Sequence, residues 1–320
     1  MAHNLSAEIL RAEQRIRPYI LKTPLIPSLP IGQMGGATVY LKMESEQYTN
    51  SFKARGAMNK VLSLTNEERT HGIVTASTGN HAQGTARACS LTGCPCTIFL
   101  PEHAEPSKVE AIQQYPAELV FHGRDPLTTE LYARRMAAER GQTWISPYND
   151  PQIIGGQGTI ALELMQQLNG LDDVLVTVGG GGLIGGIATY LKSVAPDTRI
   201  IGCQPEQAPD MYRCIQAGEI IEIEQHDTLS DGSAGGVEPG SLTFPVCRDL
   251  VDDYILVSEE EIKSAMRLMV ETHHKIIEGA AAVSLAAFLR NRDRFRSRTV
   301  VIIICGANIA TRKLLSVLKE

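Results

Sequence analysis

A chain of 320 residues with 43% hydrophobic and 21% charged side chains can bury a substantial core, which excludes a disordered chain and favours one large domain or two modest ones. Its formal net charge of -6, with no basic stripe, argues against nucleic acid as a partner and for small-molecule chemistry. The longest apolar runs, such as VVIIIC at 300–305, are too short to cross a bilayer, and the opening MAHNLSAEIL lacks a basic segment followed by an apolar one; no membrane partner and a cytoplasmic location are expected.

Short β-branched runs alternate with longer segments of helical period, the pattern of an α/β protein with mostly parallel sheets flanked by helices. Helices are predicted to begin near Ser6, Lys53, Asn80, Pro106, Pro126, Gln152, Leu183, Pro209, Glu259, Glu278 and Ile309. Strands are predicted over residues 38–43, 72–77, 96–100, 118–122, 174–178, 199–204, 253–257 and 299–305. Two stretches break the rhythm, the end of GIVTASTGNHAQ and the whole of TLSDGSAGGVEPGSLTF. Dense in glycine, serine and aspartate, they read as loops of the kind that bind ligands at the carboxyl ends of parallel strands. No repeat or linker-like tract divides the chain. A second lobe is therefore expected as an insertion, a small α/β domain at 70–151 within a discontinuous large domain of 1–69 and 152–320.

Three stretches concentrate groups that do chemistry. In TNSFKARGA, Lys53 stands at a predicted helix start close to Arg55. The helix end, the neighbouring cation and desolvation all disfavour the protonated amine. A neutral lysine is a nucleophile able to form a Schiff base with a carbonyl; a solvated lysine at a helix start is the plain alternative. In STGNH, hydroxyls, an amide and helix-start N–H groups come together at Ser77, Thr78, Gly79, Asn80 and His81. That set suits a carboxylate or a ring oxygen, and an ordinary helix cap is its plain alternative.

The third stretch is DVLVTVGGGGLIGG, in which a buried-strand run ends in Gly179, Gly180, Gly181 and Gly182 and a helical pattern opens at Leu183. With no Cβ in the way, N–H groups there can converge on a phosphate, aided by the positive end of the helix. The owner of that phosphate stays open at this point. Gly180, Gly182 and Gly185 also satisfy the G-x-G-x-x-G template of an NAD(P)-binding oxidoreductase, with Glu206 a loose candidate for the ribose. A Walker loop is excluded, because no Lys-Ser or Lys-Thr follows the glycines. Seven cysteines, at 89, 94, 96, 203, 214, 247 and 305, include a Cys94-x-Cys96 spacing that matches neither zinc nor thioredoxin patterns; most read as reduced core residues.

The motifs KMESEQYTNSFKARGA, STGNHAQGTA, GGQGTIALEL, VGGGGLIGGIA, IIEGAAAVSLAA and CGAN follow one another along the chain. In these motifs and their order the sequence resembles the fold-type II pyridoxal phosphate enzymes, most closely the serine/threonine dehydratase and serine racemase family. The resemblance runs nearly end to end. It implies a two-lobed fold like that of the tryptophan synthase β subunit, with pyridoxal 5'-phosphate between the lobes, and a homodimer. It further implies that Lys53 holds the cofactor as a Schiff base, with Phe52 against one ring face, Gly232 over the other and Asn80 on the ring hydroxyl. Gly179, Gly180, Gly181, Gly182 and the Leu183 amide would hold the phosphate, and a neutral Cys305 would face the pyridine nitrogen. Ser77, Thr78, Gly79 and His81 would surround the carboxylate of an amino acid substrate. The implied reaction is loss of water from a β-hydroxy amino acid such as serine or threonine, with Lys53 as general base, giving a 2-oxo acid and ammonia.

Four departures from the family pattern sharpen the expectations. Thr78 stands where racemases carry serine and many dehydratases alanine, which keeps serine racemase as an alternative. Gln204 stands where the family's cation site has a carboxylate, leaving Asp210 and the Ala208 carbonyl as a weak Mg²⁺ or Ca²⁺ candidate. The glycine-rich LSDGSAGGVEPGSLTFP is similar to the hydroxyectoine-utilisation or phenylserine dehydratase branch, which adds those substrates and 3-hydroxyaspartate as alternatives. Asn50 replaces a glycine before Ser-Phe-Lys, a change that a positive φ at Asn50 accommodates.

Overall fold

The computed structural model describes residues 2–319 and arranges their strands in two sheets. In chain order the strands are β1 (Leu25–Pro27), β2 (Thr38–Met43), β3 (Ile73–Ala76), β4 (Cys96–Leu100), β5 (Glu118–Phe121), β6 (Thr143–Trp144), β7 (Asp173–Thr177), β8 (Arg199–Pro205), β9 (Asp253–Val257) and β10 (Thr299–Ile304). The larger sheet runs β1-β2-β10-β7-β8-β9 and is parallel except for β1, which pairs antiparallel with β2 at the edge. The smaller sheet runs β5-β4-β3-β6, parallel throughout. Strands β7 and β10 lie at the centre of the larger sheet with almost every residue buried. Burial on both faces is why DVLVT and TVVIII read as apolar runs rather than alternating ones.

All four strands of the smaller sheet come from residues 73–144, but its core is not confined to 70–151. Ile16, Ile20, Ala57, Met58, Val61 and Leu64 pack in one cluster with Ile73, Ala82, Ile98 and Leu100. The helix Lys53–Ser63 thus sits between the two lobes, packed against both Asn80–Thr92 and Pro151–Gln167. No helix among the described residues is long and apolar enough to cross a membrane.

Helices near the centre meet through glycines. A Cβ on Gly156 would fall 2.6 Å from the Gly56 Cα, and one on Gly186 would fall 2.5 Å from the Ile154 carbonyl oxygen and 2.6 Å from the Gly158 nitrogen. Helices Lys53–Ser63, Pro151–Gln167 and Gly182–Val194 can therefore approach main chain to main chain only because these positions carry no side chain.

Beside the first of these helices lies an ion cluster of Lys42, Glu44, Arg55 and Glu163, all four side chains fully buried. Arg55 donates to Glu44 at 2.7 and 2.8 Å and to Glu163 at 2.8 and 2.9 Å. Lys42 Nζ completes the set on Glu163 at 2.5 Å. Arg17, partly exposed, adds a further cation on Glu163 at 2.8 Å, and the planar Arg55 guanidinium meets both carboxylates with paired N–H groups.

Several elements differ from expectation. The short strands β1 and β6, of three and two residues, and the helices Leu29–Gly35, Asn66–His71 and Thr243–Leu250 are not among the predicted elements. The helix expected near Ser6 begins at Ala2, and the one expected near Ile309 begins at Thr311.

Candidate active site

Lys53 is the first residue of its helix, and its Nζ donates to the Pro147 carbonyl at 2.7 Å. Burial lowers the amine to about 8, against the raising influence of Cys305 and Glu278 nearby. The expected influence of Arg55 does not operate, because its charge is spent on Glu44 and Glu163. The amine lies 5.2 Å from the centroid of the Phe52 ring. Phe52 N–H donates to the Cys305 carbonyl at 3.1 Å, and Ser51 bridges Gly306. The loop before Lys53 is thereby stitched to the end of β10. Asn50 does adopt a positive φ of 53°, and Thr49 joins it at 63°.

The glycine turn follows β7. Among the described residues, no N–H group from Gly179 to Leu183 is bonded within the protein, while the Gly180 carbonyl accepts from Thr243 Oγ1 at 2.6 Å. Gly181 takes φ 86°, a left-handed conformation that suits glycine. A Cβ on Gly180 would lie 2.4 Å from the Tyr148 ring, and one on Gly182 would lie 3.0 Å from the Tyr148 Cβ. The dipeptide Pro147-Tyr148 thus holds the Lys53 amine through its carbonyl and lines the glycine turn with its ring. One short segment brings together two features 126 residues apart in the sequence.

The third motif closes the site from the smaller sheet. Ser77, Thr78 and Gly79 follow β3, the Gly79 N–H donates to Ser77 Oγ at 3.2 Å, and the side-chain direction of Gly79 faces open space. Asn80 Nδ2 donates to the Glu278 carboxylate at 2.9 and 3.1 Å, and Asn80 Oδ1 accepts from Asn308 Nδ2 at 2.7 Å. These two partners fix which end of the amide faces which way. Glu278 also accepts the Asn308 N–H at 3.1 Å, and burial raises its carboxyl to about 7. A Cβ on Gly306 would fall 2.4 Å from that carboxylate, which explains the glycine of CGAN.

These features suit one cofactor, and comparison with known proteins agrees. A family model described as pyridoxal-phosphate dependent enzyme matches residues 16–306. The chain belongs to the pyridoxal-phosphate-dependent enzyme family. The L-threonine ammonia-lyase of Geobacter sulfurreducens is 42% identical over 314 residues, 98% of this chain and 77% of that one. The catabolic L-threonine dehydratase of Escherichia coli K12 is 41% identical over 304 residues, 94% of this chain and 92% of that one. The serine racemase structure from Dictyostelium discoideum superposes with a TM-score of 0.89 at 38% identity, covering 95% of this chain and 98% of that one.

The residues present fit pyridoxal phosphate. An amine of lowered basicity is available for its aldehyde, and unpaired N–H donors for its phosphate. Cys305 is buried, and burial together with Glu278 drives its thiol well above the ordinary range, so the sulfur keeps its proton. Gly232 is exposed, its side-chain direction 3.4 Å from the Ala280 Cβ and 3.7 Å from a Glu278 oxygen.

Other expectations change. The His81 ring is buried against the Ile145 carbonyl at 3.4 Å, and burial with the nearby Lys53 charge pushes it down to about 3. It stays neutral and offers a carboxylate no positive charge. Glu206 pairs with Arg290 at 2.8 Å, and with the family established the nicotinamide alternative falls. The cation candidate does not fit its ion. Gln204 spends its side-chain oxygen on the Tyr212 N–H at 2.8 Å and has only N–H left to offer, while one Asp210 oxygen accepts from Gln225 at 2.7 Å. One free carboxylate oxygen and the Ala208 carbonyl are a thin set for a hard divalent ion.

Glu278, Asn308, Pro147 and Tyr148 were not singled out as functional from the sequence. An acid set between Ile277 and an alanine-rich helix in IIEGAAAVSLAA was the available signal for Glu278; Pro147 and Tyr148 carry none.

Proposed function

We infer that this enzyme is a pyridoxal phosphate-dependent lyase of the threonine and serine dehydratase type, removing water from a β-hydroxy amino acid to leave a 2-oxo acid and ammonia. The observation that carries the reading is the Lys53 amine, bonded to the Pro147 carbonyl in the same segment that lines the glycine turn. When bound, the cofactor supplies an electron sink that acidifies the substrate Cα–H. Lys53 Nζ, lowered to about 8, serves both as the attachment point and as the general base that takes this proton near neutral pH. The N–H groups from Gly179 to Leu183 bind the phosphate, with the helix end adding positive potential. The N–H groups at the start of the helix Asn80–Thr92, with the Ser77 and Thr78 hydroxyls, orient the substrate carboxylate. The Cys305 thiol withholds its proton from the ring nitrogen, which tempers the sink and favours prompt loss of the β-hydroxyl over transamination. Phe52 and Gly232 would lie on either side of the cofactor ring.

The substrate range is read as serine and threonine first, supported by the names of the relatives at 42% and 41% identity. The reading extends to a small lobe inserted at about 70–151 and to a cytoplasmic homodimer, the dimer resting on family likeness. The test is direct. The purified protein is expected to absorb visible light as a pyridoxal enzyme, and Lys53→Ala to lose both that absorbance and activity. L-serine, L-threonine, 3-hydroxyaspartate, phenylserine and hydroxyectoine-derived amino acids are then scored for 2-oxo acid release. Turnover of L-serine or L-threonine supports the reading, and release from none of them overturns it. D-serine formation in place of 2-oxo acid makes the enzyme a racemase.

A further inference from the structure

The smaller lobe holds a group of thiols for which the lyase reaction has no use. The helix Asn80–Thr92 ends at Gly93, whose φ of 69° is left-handed, and the Cys94 N–H donates to the Cys89 carbonyl at 3.1 Å. This six-to-one bond marks a Schellman cap, a reversal that brings the side chains on its two flanks into contact. Apolar residues usually occupy those two positions. Here both are cysteines, and Cys96, at the start of β4, lies with them in one buried cluster. All three are free thiols, and among the described residues no group has the makings of a metal site.

The capping pair is asymmetric. Cys89 is 1% exposed and Cys94 5% exposed, but Cys94 lies between Gly93 and Pro95, both exposed, so a small solute meets Cys94 first. The neighbouring Cys89 thiol and the nearby Arg69 charge lower the Cys94 thiol, whose Sγ lies against the Arg69 and Pro95 carbonyls at 3.5 and 3.7 Å, while Cys89, burdened by both neighbouring thiols, holds its proton. The first is placed to be oxidised and the second to resolve it.

We propose that Cys94 and Cys89 form a peroxide-sensitive dithiol, closing to a disulfide across the helix cap. The Cys94 thiolate attacks one oxygen of hydrogen peroxide, the O–O bond breaks, and hydroxide leaves, giving a sulfenic acid. Cys89 Sγ then attacks Cys94 Sγ, the S–O bond breaks, and water departs with the proton Cys89 gives up. Two thiols and one peroxide become one disulfide and two waters, with two electrons passing from sulfur to oxygen. Cys96 keeps its thiol. Because the cap bond already joins the two backbones, the closure asks for little movement.

Trypsin releases all three cysteines in one peptide, residues 88–108, which makes the test unambiguous. Folded holoenzyme is treated with hydrogen peroxide, its remaining thiols are alkylated after unfolding, and the peptide is weighed and fragmented by mass spectrometry. The proposal expects one alkyl group on the wild-type peptide, at Cys96, none on Cys96→Ser, and two on Cys94→Ser. A wild-type peptide with three alkyl groups, one carrying irreversible sulfinic acid at Cys94 without a cross-link, or a cross-link that persists in Cys94→Ser overturns it. Should Cys94→Ser fail to fold, the wild-type and Cys96→Ser peptides decide the matter alone.

Discussion

Replacing Glu163 by glutamine barely changes its shape and removes one of the four charges buried with Arg55 and Lys42. Burial by itself would raise this carboxyl, but Arg55 and Lys42 outweigh it and hold it at about 2, against an ordinary 4.5. At about 1.4 kcal/mol per pH unit, that gap corresponds to roughly 3 kcal/mol of stability at neutral pH. Breaking a buried ion pair by deleting one partner independently suggests about 3–5 kcal/mol. Since the folded-state value lies below the unfolded one, the contribution is complete above the ordinary 4.5 and is lost as pH falls toward 2. Urea denaturation of parent and Glu163→Gln, followed by far-UV circular dichroism, is expected to show the variant about 3 kcal/mol less stable at pH 7. The gap should shrink to less than about half by pH 3. Equal midpoints at neutral pH, or a difference indifferent to acidification, would refute this account of the cluster.

Three further outcomes are expected at the site. Gly180→Ala pushes a methyl to 2.4 Å from the Tyr148 ring and should weaken pyridoxal phosphate about tenfold or more in an absorbance titration; unchanged affinity would contradict the packing described. Glu278→Gln sets an N–H against the Asn80 or Asn308 donor, an unmet pairing of about 1–3 kcal/mol, so kcat or cofactor affinity should fall roughly 10- to 100-fold, and wild-type values for both would remove Glu278 from the site. Capture of pyridoxal phosphate by the cofactor-free protein, trapped with borohydride, should speed up with rising pH until about 8 and then level, because the amine is lowered from 10.5 to about 8; a rate still climbing at pH 10 would mean an ordinary lysine.

Much of the fold was legible because the central strands announce themselves. β7 and β10 carry apolar runs at 174–176 and 300–304, and the helices beginning at Lys53, Asn80, Pro106 and Pro126 start where their sequence signals stand. Short elements were lost for physical reasons. β6 has only two residues, too few for any periodicity, and Leu29–Gly35 contains a proline and two glycines that read as loop. Asn66–His71 was readable in principle, since Thr65 and Glu68 form a capping box. At the site, Lys53 and the glycine turn carry their chemistry in their own residues. Glu278 and Asn308 gain theirs only from meeting Asn80 across 198 and 228 positions of chain. The burial that keeps the His81 ring neutral is not legible in the sequence.

The glycine crossings give the site a fixed ruler. Lys53 and the four-glycine turn ride on helices whose spacing is set by abutting peptide planes, so the span from aldehyde anchor to phosphate cup is insulated from side-chain replacement nearby. The helix Asn80–Thr92 is gauged the same way, a Cβ on its Gly84 falling 3.1 Å from the Lys53 carbonyl oxygen, so only Ser77 to Gly79, on the loop ahead of it, lie outside these crossings. Substrate preference can be rewritten on that flank while the cofactor's berth keeps its length.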